Sequence, residues 1–203
     1  KIGLPGASLG IFDVILVYIM NLIIGAALGD IGLNIYIVCV NGLLMISILV
    51  IGFAETLSSI APIYYTQNDF FNLNHILRRS VIITLLCSLI FTVILLIEPD
   101  ILLIFFKLHV MDNDSMFETA IMLFSLSFVP MAFSTMLIFY YEGIERTVES
   151  GILSAISTLI GPLLFTSILY PVIGVNGIWL SFPLVYILSI LVVSCHVKIV
   201  EQA

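Results

Sequence analysis

The residues of this sequence that could do chemistry are polar side chains set inside long apolar runs. Asp13 lies about a third of the way into the first run, and Asn21 follows it eight residues later. Eight residues are a little over two helical turns, so a helix would place both side chains on roughly the same face. An acid and an amide on one face could coordinate a cation or relay a proton, which makes Asp13 and Asn21 the candidate ion-coupling residues.

Asp13 has a second interpretation. A carboxylate inside a membrane span costs on the order of 2.5 to 3.5 kcal/mol on insertion scales, so it should face the protein interior or a water-filled cavity. Alternatively, apolar surroundings keep the carboxyl group neutral, and it only forms a hydrogen bond to a neighbouring helix. The residue types alone leave both interpretations open.

Three further residues are candidates for a cavity or a gate. Glu55 falls near the end of a long second span, and Asn41 lies seven residues after Asn34 on the same span. Asparagines at such positions more often hold helices together than bind a substrate. Pro5 is one of several prolines in or near the apolar runs, where the missing backbone N–H favours a bend.

The sequence lacks the motifs of soluble enzymes. It contains no GxGxxG, no phosphate-binding loop and no GxSxG, and its three histidines are scattered in or near loops. The three cysteines are widely spaced within apolar runs, without a CxxC pair. We therefore expect no enzyme, no catalytic residues, no metal site and no cofactor.

The elements that must position these residues are transmembrane helices. Of 203 residues, 62% are hydrophobic and only 9% are charged, whereas soluble domains carry roughly 25% charged residues. The mean hydropathy is +1.28. A span needs about 20 mostly apolar residues, so the chain has room for about six. The net charge of -7 indicates no nucleic-acid partner, because most acids sit in short loops.

The predicted fold class is an all-α, polytopic membrane protein, a bundle of six transmembrane helices in a single lobe covering residues 1–203. Polar, Pro and Gly punctuation separates the apolar runs. The second run is longer than a bilayer core, so that helix should tilt or protrude. The predicted spans are about 4–28, 31–65, 80–97, 115–141, 151–170 and 177–197.

The basic residues predict the orientation of these spans. With six spans, five of the six basic residues fall on one side of the membrane, and only Lys107 falls on the other. Lys and Arg near span ends are retained in the cytoplasm. Both termini are therefore predicted to be cytoplasmic. Residues 2–29 are too long and too polar for a signal peptide, so we expect a true span there. The chain begins at Lys1 rather than Met, so we expect a fragment or a separately made half of a larger protein.

Three segments resemble the multidrug and toxin extrusion (MATE) family, within the superfamily of multidrug, oligosaccharide-lipid and polysaccharide exporters. Residues 3–14, GLPGASLGIFDV, resemble the opening of the family's seventh helix, in which an acid after a GLP start helps bind the coupling cation. Asp13 falls on the position of that acid. Residues 60–79, with Pro62, resemble the second-to-third connection of a lobe, although Asn68-Asp69 stands where the family often has Gly. Residues 174–191, GVNGIWLSFPLVYILSIL, resemble the last helix of a lobe.

The resemblance implies a fold, a function and partners. MATE transporters consist of two six-helix lobes, and this chain resembles one of them, more the C-terminal lobe than the N-terminal. It implies cation-coupled antiport at the plasma membrane, with Na⁺ or H⁺ as the coupling ion and organic, often cationic, compounds as substrates. The partner would be a second six-helix lobe or a second copy of the chain. Several relatives carry a further acid in the helix equivalent to the fourth span, where residues 116–140 contain only Glu118.

Other functions stay open. A flippase for lipid-linked oligosaccharides belongs to the same superfamily, but such flippases tend to line their cavity with cations, and this chain has almost no Lys or Arg within its spans. From a different class, the chain could be a membrane scaffold or assembly subunit without transport activity. An intramembrane enzyme fits least, because only Asp13 and Glu55 are available as paired carboxylates.

Overall fold

The computed structural model describes residues 4–106 and 114–202 of the chain. Side chains are described for residues 10–102, 104–105 and 115–192. Over these residues the chain is helical, with short turns between the helices. The helices are α1 (Leu4–Thr66), α2 (Phe70–Ile97), α3 (Ile101–Phe106), α4 (Asp114–Ser125), α5 (Phe128–Gly143), α6 (Thr147–Ala155), a π-helical turn (Ile156–Ile160), α7 (Gly161–Ile173) and α8 (Val175–Gln202).

Five stretches of these described residues are long and apolar enough to cross a membrane. The expected all-helical membrane protein is therefore confirmed. The count of six spans stays a prediction, as do their boundaries. The five stretches are Gly10–Thr66, Phe70–Ile97, Ser115–Gly143, Thr147–Ile173 and Val175–Val192.

Helix α1 is interrupted at Gly29, whose backbone is not helical (φ 63°, ψ -153°). A Cβ atom on Gly25 would lie 3.5 Å from the Leu33 side chain, although residues eight apart in a straight helix are separated by about 12 Å along the axis. The chain therefore bends sharply at Gly29. We call residues 4–28 the first arm and residues 30–66 the second arm.

Prolines explain two interruptions in the later helices. Pro130 cannot donate to the carbonyl of Leu126, and α4 and α5 are separated by a turn at Leu126 and Ser127. The Ser127 hydroxyl donates to the Phe124 carbonyl at 2.6 Å, which satisfies one acceptor at the end of α4. The π-helical turn lies just before Pro162, the second residue of α7. The sequence predicted one span over 115–141, and in the structure this stretch consists of α4 and α5 with the turn at Leu126 and Ser127 between them.

The main core lies between both arms of α1, the helices α4 and α5, and α8. Its largest fully buried side chains include Trp179, Tyr36, Phe124 and Phe128. The Phe124 ring contacts the rings of Phe128 and Phe182, with centroids 6.3 and 4.7 Å apart. This aromatic group joins α4, α5 and α8, and it fixes the wall behind the first arm.

Buried hydroxyl groups line the face of α2 that packs against the bundle. Thr84, Ser88 and Thr92 recur every fourth residue and are all buried. Each donates to a carbonyl in the preceding turn of α2, and Thr92 also approaches the carbonyl of Ser125 on α4 at 3.3 Å. Because these hydroxyls bond locally, they add little polarity to the core, and their small size lets α4 and α5 pack closely.

The hairpin of α7 and α8 is closed by two glycines. Gly174 has a positive φ of 72°, and a Cβ atom on Gly177 would lie 2.5 Å from the backbone carbonyl oxygen of Leu169. Real Cβ atoms do not approach a backbone oxygen so closely. The side-chain hydrogen of Gly177 is therefore what allows α8 to pass against α7.

Replacing Gly177 with Ala is expected to destabilise the lobe by about 1 to 3 kcal/mol, because the backbones of α7 and α8 must move apart. The measurement is thermal unfolding of the purified chain in detergent. Gly151→Ala is the matched control, since a methyl group there meets nothing within 4 Å and helix propensity favours alanine over glycine. Equal melting temperatures for the two variants would contradict the close approach.

Candidate ion-coupling site

Asp13 lies on the exposed surface of the first arm, one helical turn before the first described core residue, Leu16. Leu16 and Met20, the next buried residues along the arm, point into the main core. Asp13 is a weaker, longer-range electrostatic neighbour of the phenols of Tyr36 and Tyr186, and no hydrogen bond between described residues joins it to Tyr36. The site therefore joins three helical segments: the first arm, the second arm and α8.

Tyr36 is the most enclosed member of this group. Its side chain is 1% exposed, and its ring lies 6.4 Å from that of Phe182. Its hydroxyl has no hydrogen-bond partner among the residues that the structure describes. Buried hydroxyls are nearly always paired, so this unpaired phenol is unusual. Cys39, one helical turn later, is a buried free thiol that also interacts with Tyr36.

Hydroxyl groups continue from this site along the contact of α7 with α8. Thr166 donates to the Ser181 hydroxyl at 2.9 Å, and Ser181 donates to the Ile178 carbonyl at 2.6 Å. The Thr166 hydroxyl also lies 3.9 Å from the sulfur of Met20, on the first arm. These bonds fix α7, α8 and the first arm relative to one another. The indole N–H of Trp179, two residues before Ser181, is buried and has no hydrogen-bond partner among the described residues.

The asparagines predicted from the sequence are not gathered around Asp13. Asn21 is half-buried on the first arm, about 12 Å along the helix axis from Asp13, so one ion cannot contact both side chains at once. Asn41 donates its amide N–H to the Ile37 carbonyl at 2.8 Å, one turn back on its own helix. Asn34 is exposed. Pro5 lies in the first turn of α1, where a proline is tolerated, and its side chain is outside the described residues.

Glu55 lies instead in a separate polar cleft of about 390 Å³ between the second arm and α5. The cleft is lined by Glu55, Ser58, Ser59, Phe139 and Glu142. The span predicted over 115–141 left Glu142 in the loop that follows, but it lies in the last turn of α5 and is 9% exposed. This cleft therefore brings one predicted residue together with a carboxyl group that the sequence did not single out.

Sequence reasoning missed the aromatic part of the Asp13 site. Tyr36 and Tyr186 belong to apolar runs in which tyrosine is usual at helix surfaces, so their types gave no warning. The one signal in the sequence was that Tyr36 lies seven residues after Gly29. That spacing says which residues Tyr36 faces only when the angle between the two arms is known. Over the described residues, no three His, Cys, Asp or Glu side chains come together as a metal site. Asp13 and the two phenols offer oxygen ligands, which hard cations prefer.

Several solved structures share the architecture of this chain. A scan against protein-family models and a comparison with curated proteins both give no match. The outward-facing structure of a multidrug resistance MATE family transporter of the MOP superfamily superposes with a TM-score of 0.85 at 16% identity, over 99% of this chain and 46% of that chain. The chain has the fold of half a MATE transporter.

Two other MATE-fold structures give the same result. A crystal structure of MATE in complex with MaL6 has a TM-score of 0.85 at 16% identity. A MOP superfamily transporter from Pyrococcus furiosus, described as having a binding pocket of reverse polarity, has a TM-score of 0.84 at 18% identity. In each case 99% of this chain aligns with 46% of the other. The chain thus spans about half the length of these transporters, and the fold expected from the sequence resemblance is confirmed.

Proposed function

We propose that this chain is one lobe of a secondary active transporter that exports organic, often cationic, compounds in exchange for Na⁺ or H⁺. The observation that carries the proposal is Asp13, an acid exposed on the surface of an apolar helix in a lobe of the MATE fold. A carboxylate facing lipid is costly. The surface that bears Asp13 therefore faces a water-filled cavity or a second lobe, where the charge can be hydrated or bind an ion.

The partner in this proposal is a second six-helix lobe or a second copy of the chain, and the assembly lies in the plasma membrane. Support comes from the chain's length, since it aligns with 46% of each two-lobed structural neighbour. A single lobe exposes one wall of the cavity to lipid. No cofactor is invoked, because the coupling ion supplies the driving force.

The proposed topology has six crossings. The first stretch, Gly10–Thr66, has 57 residues, which at 1.5 Å per residue is about 85 Å of helix, far more than the roughly 30 Å of a bilayer core. The bend at Gly29 divides it into two lengths, each sufficient to cross. Tyr65 and Phe70 line a pocket with Arg146. Phe70 begins α2, whose first third carries Arg78 and Arg79, so these basic residues lie toward one end of the lobe. This arrangement supports a cytoplasmic location for that end.

Transport by the purified chain in proteoliposomes tests the function. An imposed Na⁺ or H⁺ gradient should drive export of a fluorescent organic cation only when the chain is paired, with itself or with a second lobe. A stable monomer that exports the cation would refute the need for a partner. A paired assembly that moves no organic cation under either gradient would contradict the proposed antiport and favour a flippase or a scaffold.

Cysteine labelling tests the topology. Asp30, beside the Gly29 bend, and Asn176, in the first turn of α8, are exposed on the side proposed to be external. Asn113, outside the described residues, falls in the predicted loop between the third and fourth spans, on the same side. Single cysteines at these three positions should react with a membrane-impermeant reagent added outside intact cells. Position 68, in the turn between α1 and α2, provides the internal control. Cytoplasmic labelling at any two of the three positions would overturn the topology.

A further inference from the structure

We propose that a pocket at one end of the lobe binds the phosphate of a membrane phospholipid headgroup, with Arg146 as its principal ligand. The pocket lies between the end of the second arm, the start of α2 and the turn from α5 to α6, and its volume is about 310 Å³. We call it the aromatic pocket. The proposed transport does not involve it, so lipid binding can be tested separately from antiport.

The lining of the aromatic pocket offers hydrogen-bond donors around one positive charge. Arg146 is the only charged side chain among the described residues that line it. The same space is lined by the amide of Asn74 and the phenols of Tyr65, Tyr140 and Tyr141. A guanidinium matches the geometry of phosphate oxygens, and amide and hydroxyl groups can donate to further oxygens. The chemistry of this lining therefore fits a phosphate group.

Two turns hold these donors in place. Glu145 has a positive φ of 63°, and the backbone N–H of Arg146 donates to the Tyr141 carbonyl at 2.8 Å. This bond closes the turn from α5 to α6 and fixes the backbone of Arg146 beside α5. The backbone N–H of Asp69 donates to the Tyr64 carbonyl at 2.9 Å, which closes the turn from α1 to α2. The pocket is therefore formed before a ligand binds.

The interior of the pocket is apolar and small. Leu73 and Ile144 line it and are both buried. The rings of Tyr65 and Phe70 meet edge to face, with centroids 6.2 Å apart. Pockets for small molecules measure roughly 300 to 1,000 Å³, so this one lies at the small end of that range. It has room for a lipid headgroup but little for a drug-sized transport substrate.

The position of the pocket favours a lipid over a soluble phosphate compound. It lies where two membrane-crossing stretches end, Gly10–Thr66 and Ser115–Gly143, which is the level of the lipid headgroups. Phe70, which lines the pocket, and Phe71 beside it are 52% and 80% exposed. Aromatic residues are enriched at the membrane–water interface. A phospholipid can therefore place its phosphate at Arg146 while its acyl chains cover these rings.

The carboxylates at this end of the lobe do not line the pocket. Asp69 already accepts from the backbone N–H and the side-chain amide of Asn72, at 3.1 and 2.6 Å. The others are Glu55 and Glu142, which line the polar cleft, the exposed Glu145 and the buried Glu149. These acids oppose a general attraction of anionic lipid to this surface. Binding must therefore come from the pocket itself and depend on Arg146 more than on the other arginines.

The test is a titration of the purified chain in detergent with dioleoyl phosphatidylglycerol, measured by native mass spectrometry. Arg146→Gln should weaken lipid binding about tenfold, because it removes charge-assisted hydrogen bonds to the phosphate. The Arg146 side chain makes no capping hydrogen bond at the start of α6, so the fold should survive. Arg79→Gln is the matched control. It removes the same charge from an exposed position outside the pocket and should change binding less than about twofold.

Two further probes identify the ligand. Dioleoylglycerol has the same acyl chains without the phosphate, and inorganic phosphate has no acyl chains. Neither should displace the phospholipid at equal concentration. Displacement by dioleoylglycerol would show that the acyl chains bind without the phosphate, and displacement by inorganic phosphate would show that the pocket takes a soluble compound. Either result overturns the phospholipid site.

The two arginine variants separate the pocket from bulk charge. Equal losses of binding in Arg146→Gln and Arg79→Gln would overturn the site, since only the net charge would then matter. If Arg146→Gln fails to fold, Arg146→Lys replaces it, because lysine keeps the charge without the planar fork of donors. Arg146→Lys should weaken binding about threefold. Wild-type affinity in this variant would eliminate Arg146 as the phosphate ligand.

Discussion

Replacing Asp13 with Asn is expected to reduce gradient-driven export to the background of empty proteoliposomes. The substitution keeps the size and much of the hydrogen bonding of the side chain but removes the charge that a coupling cation would neutralise. Because Asp13 is exposed on the first arm rather than packed in the core, folding should survive. The expected result is normal expression and thermal stability with no coupled transport, measured as export of a fluorescent organic cation under a Na⁺ or H⁺ gradient.

Asp30→Asn is the matched control, because Asp30 is exposed beside the Gly29 bend and outside the proposed site. It should export at the wild-type rate. Export by Asp13→Asn at that rate would eliminate the coupling role and favour the neutral, hydrogen-bonding interpretation of the carboxyl group. A variant that loses both fold and export is resolved by Asp13→Glu, which restores the charge and should restore part of the coupled export.

Replacing Gly29 with Ala should destabilise the lobe through its backbone rather than through crowding. The Gly29 backbone (φ 63°, ψ -153°) lies in a region that is open essentially only to glycine. An alanine there would cost at least about 1 to 3 kcal/mol, or would straighten the chain and separate the arms. We expect a lower melting temperature. We also expect faster amide hydrogen exchange around Gly25 and Leu33, where the two arms meet.

Gly52→Ala isolates the backbone effect of the Gly29 substitution. Gly52 lies within the helical second arm, and like Gly29 it has nothing within 4 Å of an added Cβ atom. The two substitutions therefore differ in backbone conformation rather than in steric crowding. Unfolding temperatures that match between the two variants would show that the arms can meet without the special backbone at position 29.

The apolar runs were sufficient to predict a helical membrane protein, because hydrophobicity over a span-length window depends only on composition. They also placed a boundary at Gly29-Asp30, where α1 bends. The break at Leu126 and Ser127 was not anticipated. Pro130 was noted, but the sequence does not say whether a proline bends a helix or divides it, since neighbouring carbonyls decide how the lost hydrogen bond is replaced.

The candidate site was predicted only in part. Asp13 was identifiable because an acid within an apolar run is visible in the sequence alone. Its electrostatic proximity to Tyr36 and Tyr186 was not, because it depends on how the two arms and α8 lie against each other. Similarly, Glu142 looked like a loop residue because α5 ends within one residue of it, and its burial comes from the second arm packing beside it.

The π-helical turn at Ile156–Ile160 has a consequence for the rotational phase of the helices around it. A π turn holds one residue more than an α turn, so α7 is rotated relative to α6 by about 100° from where an unbroken α-helix would leave it. This phase directs Thr166 to Ser181, and it turns Gly161 toward Val185 so closely that a methyl group would overlap it. Deleting one residue of the turn would rotate both away together. The chain therefore tolerates changes of residue type in this turn better than a change in its length.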